Sequence, residues 1–277
     1  MYSARGYFCY INKHNNLSIM NLNTYLVLSI CALTTFSCTK ETNVQPVAQQ
    51  ANETFDINNI TSSEKPGAYF DEAKGTYKLV LQPGEEGQDA LVQWKADDPR
   101  NANSNAGSSN EIDGFAWTVF GQGVVGRSLI KFTGLSQVPS TAKVIGAKLF
   151  LYGRNTSGPL PQGNSSYPGS PYTFYGDNSL VIQGVKTPWD ESTVTWNTQP
   201  KATDKREYVT APSTSQWNSN TFVEVTELVK PMVADNAVNN GFMLRLAVEG
   251  IYRSIIFASS EEENANKRPK LVVIYKL

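Results

Sequence analysis

From Tyr77 onward the chain is a succession of short apolar runs, and this most restricts what it can fold into. "YKLVLQP", "DALVQW", "RSLIKF", "AKVIGAKLFLYG", "SLVIQGV", "TVTWN", "TFVEVT", "FMLRLAV", "SIIFASS" and "KLVVIY" are rich in Val, Ile, Leu, Phe and Tyr, and Gly, Pro, Asn and Ser punctuate them. Runs of this length are strands, because a helix needs a longer periodic segment to bury a face. Within 144–152, Ile145, Ala147, Leu149 and Leu151 share one parity and form an apolar face; Val144, Gly146, Lys148, Phe150 and Tyr152 share the other. Ten such runs in about 205 residues predict an all-β fold, one antiparallel β-sandwich of jelly-roll type with long loops. One short helix is expected at "TELVKPMVAD", with Thr226 as N-cap, Leu228, Val229 and Met232 on one face, and Pro231 keeping it short. No phosphate-cradling loop follows a strand, and no solenoid repeat is visible.

The N-terminal region has a different composition. The first 38 residues contain Arg5 and Lys13 and no acid, and "YLVLSICALTTF" (25–36) has the length of a signal-peptide apolar core. Ser37-Cys38 closes it in the manner of a bacterial lipobox, so residues 1–37 read as a lipoprotein signal peptide and Cys38 as the lipidated residue. Residues 38–72 are polar and aperiodic and read as a flexible tether, leaving 73–277 as the folded domain. The expected address is the outer membrane, on the cell surface, with the lipid as the only membrane contact. Cleavage before Cys38 would remove Cys9, Cys31 and His14, the chain's one histidine. The remaining chain could then form no internal disulfide, no histidine-based triad and no histidine zinc site. With formal net charge -1 overall, no global field draws it to nucleic acid.

"WDESTVTWNTQP" (189–200) poses the enzymatic question, since Asp190 and Glu191 lie between Trp189 and Trp196. With Thr193–Trp196 read as a strand, Trp196 is a packing residue. Adjacent acids on extended chain point to opposite faces and cannot flank one glycosidic bond. Arg127 and Glu261 are candidates for a partly buried ion pair between sheets. Asp89, Asp97, Asp98, Asp113 and the run Glu261–Glu263 offer oxygen ligands, so a structural calcium is a possible cofactor, although no loop has EF-hand spacing.

Two stretches interrupt the strand pattern, residues 95–126 and 155–176, and loops of such length in a compact domain are usually functional or disordered. The second carries Tyr167, Tyr172, Phe174 and Tyr175. Aromatic rings stack on apolar ligand faces, and cations attract carboxylates. The ligand-contact candidates are therefore Trp94 and Trp117 around the first loop and Tyr167, Tyr172 and Tyr175 in the second. Lys148 and Arg154 lead into the second loop, and Tyr252 and Arg253 follow "LAVEG".

In order along the chain, "DALV", "RSLIKF", "VIGAKLFLY", "WDESTVTWNTQP", "VTELV", "NNGFML", "FASSE" and "RPKLVVIY" resemble the DNRLRE domain, also called carbohydrate-binding module family 96. The resemblance spans about residues 77–277. It implies a β-sandwich that binds polysaccharide without catalysis, with alginate the typical ligand and polysaccharide-degrading enzymes or uptake proteins as partners. The alternatives are a polysaccharide lyase or glycosidase on a jelly roll and a structural cell-surface adhesin.

Overall fold

The structure is a computed structural model that describes residues 55–84, 86–205 and 208–277. Two antiparallel sheets account for it. The first has the order β1 (Gly67–Asp71), β2 (Thr76–Leu81), β11 (Lys270–Lys276), β6 (Lys143–Leu151), β8 (Thr221–Glu224). The second runs β10 (Arg253–Ala258), β4 (Glu111–Val119), β5 (Gln122–Lys131), β9 (Phe242–Leu246), β7 (Leu180–Gly184), and β3 (Gln88–Lys95) also pairs with β5. β3 pairs with β5 over 124–131, while β4 takes Gln122–Gly126 and β9 takes Ser128–Ile130. One long strand thus serves as the spine of the second sheet.

The core lies where the inner faces meet. Leu79, Ala147, Leu149, Leu151, Leu271 and Val273 come from the first sheet, and Ile112, Ile130, Ile182, Leu244, Ile255 and Phe257 from the second. The helix α1 (Thr226–Ala234) adds Leu228, Val229 and Met232 to that core, as its spacing predicts. Val225, not Thr226, is the N-cap. The Thr226 hydroxyl accepts from the Ala147 amide at 2.8 Å and donates to Glu224, so it ties the helix to β6 instead of capping it.

Four further expectations change. The predicted apolar parity of β6 holds for Ala147, Leu149 and Leu151 but breaks at Ile145. A register shift opposite Ile274/Tyr275 turns Val144 inward and Ile145 outward, as an extra residue in one strand must. The other parity is not solvated. Phe150, Tyr152, Val80, Val272 and Ile274 form a second apolar cluster beneath Phe55, Ile57 and Ile60. Those three residues, and β1 paired with β2, belong to the stretch expected as tether, so the fold begins well before residue 73. Gly146 permits the close approach, because a Cβ there would stand 2.5 Å from the Phe55 ring. Residues 38–54, with Cys38, and the signal region 1–37 lie outside the described residues.

The first "long loop", 95–126, contains β4 and its hairpin to β5. "EIDGFAWTV" hides its strand character because Ile112, Gly114 and Ala116 supply a small inner face and the buried Asp113 disguises the alternation. A Cβ at Gly114 would collide with Leu180 at 2.3 Å, so the tight packing explains the missing side chain. Conversely, Thr193–Trp196 is no strand but part of a series of turns. Asp190 caps them, accepting from the Ser192 amide at 2.9 Å and from the Thr193 hydroxyl.

Candidate functional site

β10 is an edge strand of the second sheet, and the loop 163–178 covers part of it. The Ser165 amide donates to the Ser254 carbonyl at 2.9 Å and the Ser254 amide donates back to the Ser165 hydroxyl at 3.0 Å. The Ile256 amide donates to Asn164 Oδ1 at 2.9 Å, and Asn178 Nδ2 donates to the Ser254 carbonyl at 2.6 Å. These side chains satisfy strand groups that would otherwise be an open edge. The Gly, Ser and Asn of this stretch are there for docking, and they bring its aromatic residues to the end of the sheet.

At that end the rings converge. Trp117 on β4 and Tyr252, just before β10, lie 5.2 Å apart at 82°, an edge-to-face pair. Tyr172 sits 4.7 Å from Trp117 and 6.4 Å from Tyr252, nearly parallel to the latter. Tyr175 meets Tyr252 at 4.7 Å, and Phe174 meets Tyr175 at 5.6 Å. Tyr252 has φ 63°, a left-handed conformation that costs an ordinary side chain on the order of 1 kcal/mol. Phe174 is 91% exposed, and Phe120, at the tip of the β4–β5 hairpin, is 96% exposed. Phe174 thus offers flat apolar surface to solvent beside the half-buried Trp117, Tyr172 and Tyr252.

Arg253 fixes this arrangement. Its Nε and Nη2 both donate to the Tyr175 carbonyl, at 2.9 and 2.5 Å, and Nη1 donates to the Val248 carbonyl at 3.4 Å. Gly176, at φ 106°, is required here: a Cβ would stand 2.5 Å from Arg253 Nη2.

Of the sequence candidates, Trp117, Tyr172, Tyr175, Tyr252 and Arg253 are brought together. Tyr167 lies earlier on the same loop, its carbonyl accepting from the Ser170 amide and the Thr173 hydroxyl. Trp94 shares a rung with Val125, Ala116 and Arg253, so it starts from the same sheet face as Arg253 and from the face opposite Trp117. Arg154 is elsewhere, bonded to Glu262 at 3.0 Å and Asn110 at 2.9 Å with Glu111 at 3.5 Å. Lys148 is on the outer face of the first sheet, 4% exposed, donating to the Ile60 carbonyl at 2.9 Å. Phe120 was not among the candidates. The Phe-Gly pair at a tight hairpin tip is the signal for it, and that signal is readable only once β4 is recognised as a strand.

The tryptophan motif is packing. Trp189 and Trp196 lie against Ala90, Val92, Leu129, Val194 and Met243, and Trp189 Nε1 donates to the Asn240 carbonyl at 2.9 Å. The Arg127 guanidinium lies 4.6 Å over the Trp196 ring and makes a two-pronged bond to Glu249 at 2.6 and 2.9 Å. The expected partner, Glu261, is instead near Asp89, because β5 directs Arg127 toward the β9–β10 loop.

Carboxylate oxygens of Asp89, Glu191 and Glu261 lie within 4.8 Å of one another. Glu191 accepts from the Asp89 amide at 2.8 Å, and Asp89 accepts from the Ser260 amide at 2.7 Å. Burial, then the Glu261 charge, pushes the Asp89 carboxyl well above its ordinary value. Among the described residues, these three are grouped closely enough to hold a hard cation through oxygen. Asp98 turns to Arg100, Asp97 to Lys95, and Asp113 is buried apart from this cluster.

The fold is a two-sheet antiparallel β-sandwich that groups partly exposed aromatic rings at one end. The chain belongs to carbohydrate-binding module family 96, whose sequence model matches residues 86–275. No curated protein matches the chain.

Proposed function

We propose that the aromatic end formed by Trp117, Tyr172, Phe174, Tyr175 and Tyr252 is the polysaccharide-binding surface, and that the chain binds without catalysis. Family membership gives carbohydrate as the ligand class. The observation that carries the location is the convergence of rings from three separate segments, with Phe174 left 91% exposed. Rings that served only the core would be covered. The acids of the tryptophan motif support a non-catalytic role: Asp190 caps its own turn and Glu191 bonds to the Asp89 amide, so they do not face a common bond.

In this reading Cys38 carries a lipid that holds the domain at the outer-membrane surface, where it retains polymer for degrading enzymes or uptake proteins. A uronate polymer such as alginate is the ligand that the family resemblance implies. Calorimetry of the full chain against a panel of soluble polysaccharides, repeated with Tyr175→Ala and Phe174→Ala, tests the location. Both variants should melt like the parent and bind more weakly. Unchanged binding in both would place the site elsewhere. Cys38→Ser should move the protein from the membrane to the soluble fraction, and retention in the membrane would refute the anchor.

A further inference from the structure

The outer face of the first sheet carries a hollow that the aromatic end does not use. It lies between segment 58–62 and β8, over Lys148, Phe150 and Tyr152. Its volume is about 340 Å³, at the lower end of the range for small-ligand pockets. Phe150 and Phe222 share a rung of β6 and β8, with ring centroids 5.9 Å apart. Phe150 is buried, whereas Phe222 is 57% exposed and presents an apolar ring to whatever enters. The rim supplies polar groups. The side chains of Asn58, Ser62 and Thr221 make no hydrogen bond among the described residues. Asn220 uses its Oδ1 to accept from the Gly153 amide at 3.0 Å and keeps its two Nδ2 donors.

The charge of this hollow has one sign. Among its lining residues Lys148 alone is charged. An ammonium has three donors. One goes to the Ile60 carbonyl, and this is the ammonium's one hydrogen bond among the described residues. Asp56 and Glu224 lie close enough to favour its charge, but neither lines the hollow, and Glu224 accepts from the Thr226 hydroxyl. The neighbouring hollow beside β1, of about 410 Å³, is the opposite case. Glu64, Asp71 and Glu72 line it, and its lysines, Lys74 and Lys78, are paired with Asp71 and Glu64. An anion is repelled there and attracted at Lys148.

We infer that this hollow is a second glycan subsite, which takes a uronate unit of an acidic polysaccharide with its carboxylate on the Lys148 ammonium and its ring face against Phe222. The inference rests on carbohydrate as the ligand class and not on the location at the aromatic end. Lys148 is buried, so a carboxylate that reaches it leaves bulk water, and the attraction is stronger than on an open surface. The remaining ammonium donors and the amides of Asn58 and Asn220 offset the desolvation that such a pair costs. A neutral sugar has the ring face but brings no anion to the ammonium.

The experiment is calorimetry of the full chain with short alginate, pectate and cello-oligosaccharides, below the melting temperature measured for each variant. Phe174→Ala with Tyr175→Ala first disables the aromatic end. That chain should still bind the uronate oligosaccharides, and adding Phe222→Ala should weaken them by roughly three- to tenfold, the range of one aromatic contact. Lys148→Met, which keeps the apolar stem, should weaken them by about tenfold or more, as expected for a lost bond to a charged group. Residual uronate binding that neither Phe222→Ala nor Lys148→Met changes would overturn the second subsite and leave the aromatic end in place. So would complete loss of uronate binding when the aromatic end alone is disabled. Uronate binding that falls with Phe222→Ala but ignores the aromatic-end variants would uphold the hollow and remove the aromatic end as a site. Cello-oligosaccharides held as tightly as uronates in a Phe222-dependent way, or no uronate binding by the parent, would overturn the acidic ligand and the inference with it.

Discussion

The Lys148 ammonium donates to the Ile60 carbonyl at 2.9 Å, and this bond joins a central strand to a segment whose sequence looks like linker. Lys270, on the adjacent strand β11, repeats the arrangement with the Ser62 and Glu64 carbonyls at 2.8 and 2.7 Å. Two lysines on the outer face of the first sheet thus pin residues 60–64 across it. The Lys148 stem is covered as well, with its ammonium 4.6 Å over the Phe222 ring. Burial draws both lysines below their ordinary pKa.

Removing one pin should loosen the segment before the sandwich. Lys148→Ala is expected to cost about 1–3 kcal/mol, the range for a hydrogen bond from a charged donor plus the acceptor it strands. Amide exchange should rise in residues 57–64 first, while β9 and β10 stay protected. Equal acceleration throughout the domain would mean that the segment is not a separate unit of stability.

Trp196 and Arg127 offer a second measurement. The ring is half-buried against Val92 and Met243 and capped by the guanidinium 4.6 Å away. Trp196→Ala should destabilise by about 3 kcal/mol from lost packing. Arg127→Ala should cost less, and the double variant should show a coupling of about 0.5–2 kcal/mol, the range for a cation over an indole. Strictly additive losses in chemical denaturation would show that the guanidinium merely passes over the ring on its way to Glu249. Glycan binding should be unaffected, since neither residue belongs to the aromatic end.

Much of the sandwich is legible in the sequence because alternation survives wherever one face is apolar and the neighbour residues are ordinary. "KLVVIY" and "SLVIQGV" read as strands and are strands. Legibility fails where tertiary context supplies the reason for a residue. β4 places Gly114 and Ala116 inward to make room for Leu180, and places a carboxylate in the interior at Asp113, so its pattern looks like loop. Residues 55–64 look like linker because their partners, Lys148, Lys270 and the outer face of β6, lie about 80 to 200 positions away. The ring cluster is half legible. Its residue types stand out within 155–176, but nothing local says that Asn164, Ser165 and Asn178 will dock that stretch on β10 beside Tyr252. Basic residues near aromatics in sequence suggested a cationic site; in space Lys148 and Arg154 are committed to Ile60, Glu111 and Glu262.

Asp113 gives a pH dependence with a definite sign. It is 1% exposed, and neither carboxylate oxygen has a hydrogen-bond partner among the described residues. Burial, then the Glu111 charge, raises its carboxyl well above the ordinary 3.8, and Arg154 opposes the shift only in part. The folded state therefore holds this proton more tightly than the unfolded chain. Its contribution is most favourable below about pH 4 and is lost as pH rises through the raised folded value. Asp113→Asn removes the charge that must be buried at higher pH. The variant should melt a few degrees above the parent at pH 8, corresponding to about 1–2 kcal/mol, and the gain should vanish near pH 4. A gain that is constant with pH would assign the effect to packing and not to ionisation.

The last expectation separates the rings from what holds them. Asn164 is 1% exposed, and its hydrogen bonds go to main-chain groups outside the aromatic cluster. Its Oδ1 accepts from the Ile256 amide at 2.9 Å, and its Nδ2 donates to the Ser215 carbonyl at 3.0 Å. It therefore links the ring-bearing loop, the edge strand β10 and the chain around Ser215 at one point. Asn164→Ala leaves a buried strand amide without a partner and should cost about 1–3 kcal/mol. Because Tyr172, Phe174 and Tyr175 follow on the same loop, their packing on Trp117 and Tyr252 should slacken too. Near-ultraviolet dichroism should then weaken at temperatures where far-ultraviolet dichroism is still native, and glycan affinity should fall in parallel with the near-ultraviolet signal. Asn164→Asp keeps the acceptor for Ile256 and should recover part of both. If Asn164→Ala lowers the melting temperature but leaves the aromatic signal and the affinity of the folded fraction intact, the loop is held in place by its other bonds to Ser254, and the positioning role belongs to Ser165 and Asn178.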